Sequence, residues 1–160
     1  MNEADKKYLL RLRALCETIQ DKFDYEVFYL VCKRFMEFKQ GNVPSKNVTK
    51  QELLERLVEK GLMQKRYNDY TGCYDKLPDD RSLRASMREL LKNGFPIITT
   101  SHEGGCFIVE SEDEVDKPQK ENHSRAVAIL AVDKGYRRVR EFLKGGESYG
   151  STPNVCENNS

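Results

Sequence analysis

The sequence predicts a mainly α-helical protein with one small β-hairpin, and three observations lead to this fold class. Most of the chain carries apolar residues at spacings of three and four, the period of an amphipathic helix. Only two short runs, near residues 97–101 and 106–110, have the β-branched and aromatic character of strands, and a glycine-containing turn separates them. The length of 160 residues fits one domain, or one domain with an arm.

Charge and hydropathy exclude several classes of protein. The chain has 27 Lys and Arg residues against 26 Asp and Glu residues, a net charge of +1, which excludes a uniformly basic binder and an acidic disordered chain. Its apolar runs fall short of the ~18–20 residues that a membrane span needs. The polar start, residues 1–5, has no signal-peptide character. We therefore expect a cytoplasmic protein without a membrane partner.

Five widely spaced cysteines, with no CxxC or CxxH pair, argue against a zinc site. We expect free thiols, with Cys32 and Cys106 packed as small apolar side chains. No metal site and no cofactor is predicted.

The first half of the chain predicts three helices. The first spans Lys6 to about Lys22, and its apolar stripe fits either core packing or pairing with a second copy, so a homodimer is left open. The second, from about Tyr25 to Gln40, has the broadest apolar coverage and is expected at the centre of the core. The third spans Lys50–Lys60, where Thr49 and Glu52 form a capping-box pattern.

Residues 62–79 predict a tyrosine-bearing inserted loop, and a fourth helix follows at Arg81–Lys92 with Asp79 and Asp80 as candidate N-caps. Strands at Ile97–Ser101 and Cys106–Glu110 form the hairpin. A last helix is expected from Pro118 to about Lys144, and residues 145–160 are expected to be disordered.

The fourth helix is the most informative element for function. At 100° per residue its apolar residues Leu83, Met87, Leu90 and Leu91 share one side. A helix that is apolar on one side and cationic on the other fits the major groove of DNA, which is ~12 Å wide, and arginine can bind guanine or clamp phosphates there. The opposite side carries Arg81, Arg84, Ala85, Arg88 and Lys92, with Ser82, Ser86 and Glu89 between the two.

Three segments carry a resemblance to a known family. Residues 80–84 (DRSLR), 90–97 (LLKNGFPI) and 104–108 (GGCFI) resemble, in order and spacing, the winged helix-turn-helix of small bacterial and phage DNA-binding proteins. Residues 123–130 (HSRAVAIL) resemble the helix that often follows the wing. The resemblance covers about residues 27–143. The sequence departs from the family's pattern at residues 61–80, which replace the usual short turn, and at Cys106, which replaces an aromatic residue.

The resemblance implies a winged helix-turn-helix with an N-terminal helical extension (1–24), a core (25–110, with the 62–79 insertion), an acidic linker and C-terminal helix (111–144) and a tail. It implies double-stranded DNA as the partner, in a bacterial or phage-infected cell. We expect DNA contacts from Arg81, Arg84 and Arg88, with Ser82 and Ala85 facing the bases. Backbone-positioning contacts are expected from Lys92, Thr100 and Ser101.

The alternative is a winged helix of phage origin that binds protein and engages or inhibits a host enzyme or nucleoprotein complex, including defence machinery. The acidic segment permits it, because residues 103–116 carry six anions and no cation. That segment fits a DNA mimic, a DNA-repelling surface or a solvated linker. A replication-accessory role that combines both activities is a third possibility. The last helix fits phosphate contacts, dimerisation or coverage of the core.

Catalysis is not predicted. The two histidines, His102 and His123, are isolated and expected to be solvated, and no nucleotide-binding glycine motif occurs. The near-zero net charge is a cancellation between segments, since residues 81–94 and 121–144 each carry +3. We therefore expect one-faced, modest DNA binding without catalytic residues.

Overall fold

A computed structural model describes residues 1–100 and 104–145, which form five helices and two antiparallel hairpins. The mainly helical class with a small hairpin is confirmed. The chain divides into two units, Met1–Glu114 and a second that begins at Val115. The elements are α1 (Glu3–Glu17), α2 (Lys22–Lys39), α3 (Lys50–Glu59), β1 (Arg66–Asn68), β2 (Cys73–Lys76), α4 (Arg81–Lys92), β3 (Ile97–Thr99), β4 (Cys106–Ile108) and α5 (Asp113–Leu143).

Helix α2 forms the centre of the first unit, as its apolar coverage predicts. Its residues Val27, Phe28, Val31 and Phe35 are fully buried. Helix α1 packs against it, and the ring of Tyr8 meets that of Phe35 edge-on at 5.7 Å. The stripe on α1 therefore serves the core, at least in part.

The predicted start and end of α1 were wrong. Asn2 and Asp5 form a capping box, so the helix begins at Glu3. It ends at Glu17, before the predicted Lys22, because Asp21 caps the next helix by accepting a hydrogen bond from the Asp24 amide. Asn2 thus sets the start of α1, and Asp21, as the cap of α2, limits where α1 ends; the spacing of apolar residues did not indicate either boundary.

Helix α3 begins as predicted. The Thr49 hydroxyl accepts the Glu52 amide and the Glu52 carboxylate accepts the Thr49 amide, which completes a capping box. Arg34 of α2 donates to the same carboxylate at 2.6 Å. Burial opposes ionisation of Glu52, but these hydrogen bonds outweigh it and lower the pKa of the Glu52 carboxyl.

The expectation of an irregular loop at 62–79 was wrong, because this segment contains the β1–β2 hairpin. Arg66 pairs with Lys76 and Asn68 with Cys73, with an irregularity between them. Tyr67 and Tyr74 meet edge-to-face with ring centroids 5.3 Å apart. Cross-strand aromatic pairs of this kind stabilise a two-stranded sheet that has little other support.

The β3–β4 hairpin lies against the chain that leads into α3. Its strands are shorter than predicted, and β4 also bridges to Val48 through two backbone hydrogen bonds with Cys106, of 2.9 and 3.0 Å. Ile97, Cys106 and Ile108 are buried. Burial raises the pKa of the Cys106 thiol to about 12, so this thiol is apolar packing, as predicted.

The acidic segment after β4 is solvated only in part: Glu112, Asp113 and Asp116 are exposed, while Glu110 and Glu114 form ion pairs. Glu110 pairs with Lys39 and Lys46, and Glu114 pairs with Lys46. Burial opposes ionisation of Glu110, but hydrogen bonds from the two lysines lower the pKa of its carboxyl. These acids therefore stabilise the first unit.

Helix α5 begins at Asp113, earlier than the predicted Pro118, which lies in its second turn. None of its residues is buried. The predicted tail from 146 onwards, with Cys156, lies outside the described residues.

Candidate nucleic-acid interface

Helix α4 occupies the predicted residues and divides into a buried and an exposed side. Leu83, Met87 and Leu90 are at most 3% exposed. Leu91 was expected among them, but it is 52% exposed. Ser86 is buried instead and donates a hydrogen bond to the Asp24 carboxylate of α2. All six predicted α4 contact residues are exposed: Arg81, Ser82, Arg84, Ala85, Arg88 and Lys92.

The four cations on this exposed face differ in their ion pairing. Arg84 Nε lies 3.1 Å from the Asp80 carboxylate, and Lys92 Nζ lies 3.7 Å from that of Glu89. Arg81 and Arg88 have no ion-pair partner among residues 1–100 and 104–145. Their guanidinium groups are seven residues apart and so lie two helical turns apart on one side. Two unneutralised arginines are thus available to an anionic ligand.

The two aspartates before α4 have separate roles. Asp79 precedes the N-cap position and accepts the backbone N–H of Arg81, the first helical residue, at 3.0 Å. Asp80 occupies the N-cap position but makes no side-chain cap hydrogen bond. Its carboxylate instead pairs with Arg84 and with Lys50 Nζ, at 3.3 Å. Burial opposes its ionisation, but the Lys50 hydrogen bond and the two positive charges lower the pKa of the Asp80 carboxyl.

Lys50 also connects the start of α4 to the turn of the β3–β4 hairpin. A methyl group placed on Gly104 would lie 3.5 Å from Lys50 Cδ, while the Lys50 ammonium pairs with Asp80. Gly104 and the N-terminus of α4 therefore lie within the length of one lysine side chain. This proximity brings the two predicted contact elements together.

Of the two predicted contact residues on the β3–β4 hairpin, Thr100 and Ser101, only Thr100 lies among the described residues. Thr100 is half-buried, and its hydroxyl oxygen is covered and has no hydrogen-bond partner among the described residues. Its amide donates to the Gly105 carbonyl at 2.9 Å. The structure therefore does not bring the Thr100 hydroxyl to the exposed face. Ser101 lies outside the described residues.

Sequence reasoning missed the β1–β2 hairpin as a neighbour of this interface. Lys76 of β2 precedes Arg81 by only five residues, so the base of the hairpin adjoins the start of α4. Its side chains Tyr70 and Tyr74 are 94% and 72% exposed. The signal that could have found it is the turn-forming stretch from Asn68 to Gly72 between two tyrosines.

A second surface feature is an apolar groove of about 520 Å³ between α1 and α2. Tyr25 and Tyr29 are stacked on its wall, with ring centroids 6.0 Å apart. Leu10 lines it and is 66% exposed. An apolar concavity of this size is able to take a helix side chain or a small ligand.

Metal and membrane features are absent from the described part of the chain. There, no group of three or more His, Cys, Asp or Glu residues is placed to hold a metal ion. No described helix combines the length and apolar character that a membrane span requires. The described cysteines, Cys16, Cys32, Cys73 and Cys106, are free thiols.

Comparison with known proteins adds no relative: no family model, curated protein or solved structure matches this chain at a significant level.

Proposed function

We propose that the chain is a winged helix-turn-helix that binds duplex DNA through the exposed face of α4. Helices α3 and α4 are the two helices of the motif, and β3–β4 is the wing. The observation that carries the proposal is that all the cations of α4 share its exposed side, while its apolar residues are buried. The proposed role is that of a non-catalytic regulator.

The dimensions of α4 suit a major groove. Its 12 residues give a helix of about 18 Å. Arg81, Arg84 and Arg88 follow one another at spacings of three and four, so they form one row along this length. Ala85 lies beside the row and Ser82 about 100° from Arg81, and their small side chains leave the helix backbone free to approach base edges.

The ion pairs determine how much each of these cations is expected to contribute to DNA binding. Arg81 and Arg88 are the proposed DNA contacts of greatest weight, because no described residue neutralises them. Arg84 must first exchange the Asp80 carboxylate for DNA, so its net contribution is smaller. Lys92, near the C-terminal end of α4, is placed for a phosphate contact. With a net charge of only +1, non-specific binding is expected to be weak and strongly salt-dependent.

A titration of fluorescent duplexes with single arginine variants tests the proposal. Arg88→Ala should weaken binding to a duplex selected from a random library by about 5–150-fold if it contacts a base, which corresponds to about 1–3 kcal/mol. If it contacts a phosphate, it should lower the salt slope by about one. Arg13→Ala is the matched control, because Arg13 is a 78% exposed arginine on α1 of the same unit. Equal binding by wild type and both variants at two salt concentrations would refute the α4 assignment.

The α1–α2 groove supports a second candidate function, in which the winged helix binds a host protein. Leu10, Tyr25 and Tyr29 offer an apolar surface rich in aromatic groups, as protein interfaces do. The expected occupant is an amphipathic helix that lays its apolar side chains into the groove. A partner that survives nuclease treatment of a lysate, and that Leu10→Asp releases while Arg88→Ala does not, would favour this function over DNA binding.

A further inference from the structure

We propose that α5 pairs in an antiparallel coiled coil with α5 of a second copy of this chain. This inference does not rest on DNA binding. It starts from the exposure of the helix: eight apolar side chains between Val127 and Leu143 are 51–78% exposed, and no residue of α5 is buried. Most helical stability in proteins comes from packing of an apolar face, so a 31-residue helix with this exposure requires a partner.

The spacing of these residues identifies the kind of partner. Five of them recur at alternating steps of three and four, as the a and d positions of a heptad do. At 100° per residue they fall within an arc of ~80°. A narrow stripe of this type is the seam of a coiled coil, whereas the side of a helix that faces a globular core is wider. The five are Ile129, Val132, Tyr136, Val139 and Leu143.

The residues beside the stripe indicate a second copy in the opposite direction. Asp133 and Arg140 occupy the two e positions, which face each other across an antiparallel pair. Two copies therefore form the Asp133–Arg140 contact twice, with opposite charges. Within one copy the exposed Asp133 carboxylate pairs with Arg137 at 2.7 Å, so it shares or exchanges this partner when two copies meet. A parallel pair would instead place them beside Ala128 and Gly135 at the g positions, without an ion pair. Parallel dimers also favour Leu at d, where this chain has Val132 and Val139.

Two of the three g positions fit the same arrangement. Ala128 and Gly135 leave that part of the flank without bulk, so the two helices are able to approach closely there, while Phe142 occupies the third g position near the C-terminal end. A methyl group placed on Gly135 meets nothing within 4 Å in the chain itself. A glycine is unfavourable inside a helix, and packing within one copy does not explain it.

Sedimentation of the full chain over a range of concentrations tests the pairing. Wild type is expected to show a reversible monomer–dimer equilibrium. Val139→Asp places one charge per copy in the seam, which makes two charges per dimer. At about tenfold per charge, the variant should raise the dissociation constant by about 100-fold. Val127→Asp is the matched control: Val127 is 53% exposed against 51% for Val139, but it lies on the opposite side of α5. It should change the constant by less than about threefold.

Charge exchange tests the direction of the pair. Asp133→Arg alone should weaken the dimer, and the double variant Asp133→Arg, Arg140→Asp should restore it. Circular dichroism confirms that each variant remains folded. A monomer at all concentrations, equal effects of Val139→Asp and Val127→Asp, or a dimer that Val139→Asp leaves intact would each overturn the proposal. Failure of the double variant to restore the dimer would overturn the antiparallel direction.

Discussion

Gly105 is the residue on which attachment of the β3–β4 hairpin depends most directly. A Cβ atom at this position would lie 2.0 Å from the Val48 carbonyl oxygen and 2.9 Å from its carbonyl carbon. Both are backbone atoms, so no side-chain rotation is able to relieve the clash. Gly105→Ala must therefore separate β4 from the chain that leads into α3.

The cost follows from the two backbone hydrogen bonds between Val48 and Cys106. Both residues are buried, at 5% and 0% exposure, so water does not replace a lost partner there. A buried backbone group left unpaired costs about 1–3 kcal/mol. For the two bonds together we expect a loss of about 2–6 kcal/mol, which is a large part of the ~5–15 kcal/mol by which a domain is stable.

Urea denaturation followed by circular dichroism measures this loss. With an m-value of ~1.5 kcal/mol/M, the midpoint should fall by about 1.3–4 M. Gly104→Ala is the neighbouring control: its φ of 62° strains an alanine by about 1–2 kcal/mol, but the added methyl meets only the flexible side chain of Lys50. If Gly105→Ala costs no more than Gly104→Ala, the described contact of β4 with Val48 is wrong.

Three further predictions concern other parts of the first unit. Glu110→Gln should lower stability by about 1–2 kcal/mol at pH 7, because two lysines lose an ionised partner. The pKa of the Glu110 carboxyl is lowered from 4.5 in the folded protein, so the difference in unfolding free energy between wild type and variant should be complete above pH 4.5. It should disappear as the pH falls through the lowered pKa, and denaturation over pH 2–8 measures this. Ser86→Ala should cost about 1–2 kcal/mol in the same assay, because the Asp24 carboxylate loses a hydrogen bond from a buried hydroxyl, and an unchanged midpoint would contradict it. A thiol reagent followed by peptide mapping should modify exposed Cys73 while Cys106 stays unmodified until the chain unfolds, and equal modification of both would contradict the burial of Cys106.

The sequence was sufficient for α4 and for the start of α3. Their boundaries carry local signals: Thr49 with Glu52, and the aspartates before Arg81. The coarse fold class is likewise confirmed, since the helical spacing is strong over most of the chain. These features depend on residues close together in the sequence, which is why inspection of the sequence finds them.

Features that depend on distant contacts were not predictable in the same way. The pairing of Glu110 with Lys39 and the bridge from Val48 to Cys106 join residues more than 50 positions apart. The β1–β2 hairpin has weak strand character, because only two paired tyrosines distinguish it from a loop. The predicted DNA contacts on α4 are exposed, as the helical pattern indicates. The Thr100 hydroxyl is covered by tertiary packing, which the sequence alone does not indicate. The role of these residues in DNA binding stays a prediction.

Amide chemical-shift mapping during titration with a 20-base-pair duplex at low salt tests the central claim most directly. If α4 reads DNA, the largest shifts will lie on its exposed side, around Arg81 and Arg88, and at the adjoining β3–β4 hairpin. Residues lining the α1–α2 groove will not change. Shifts confined to that groove, or no shifts at a duplex excess that should saturate a micromolar site, would contradict the claim.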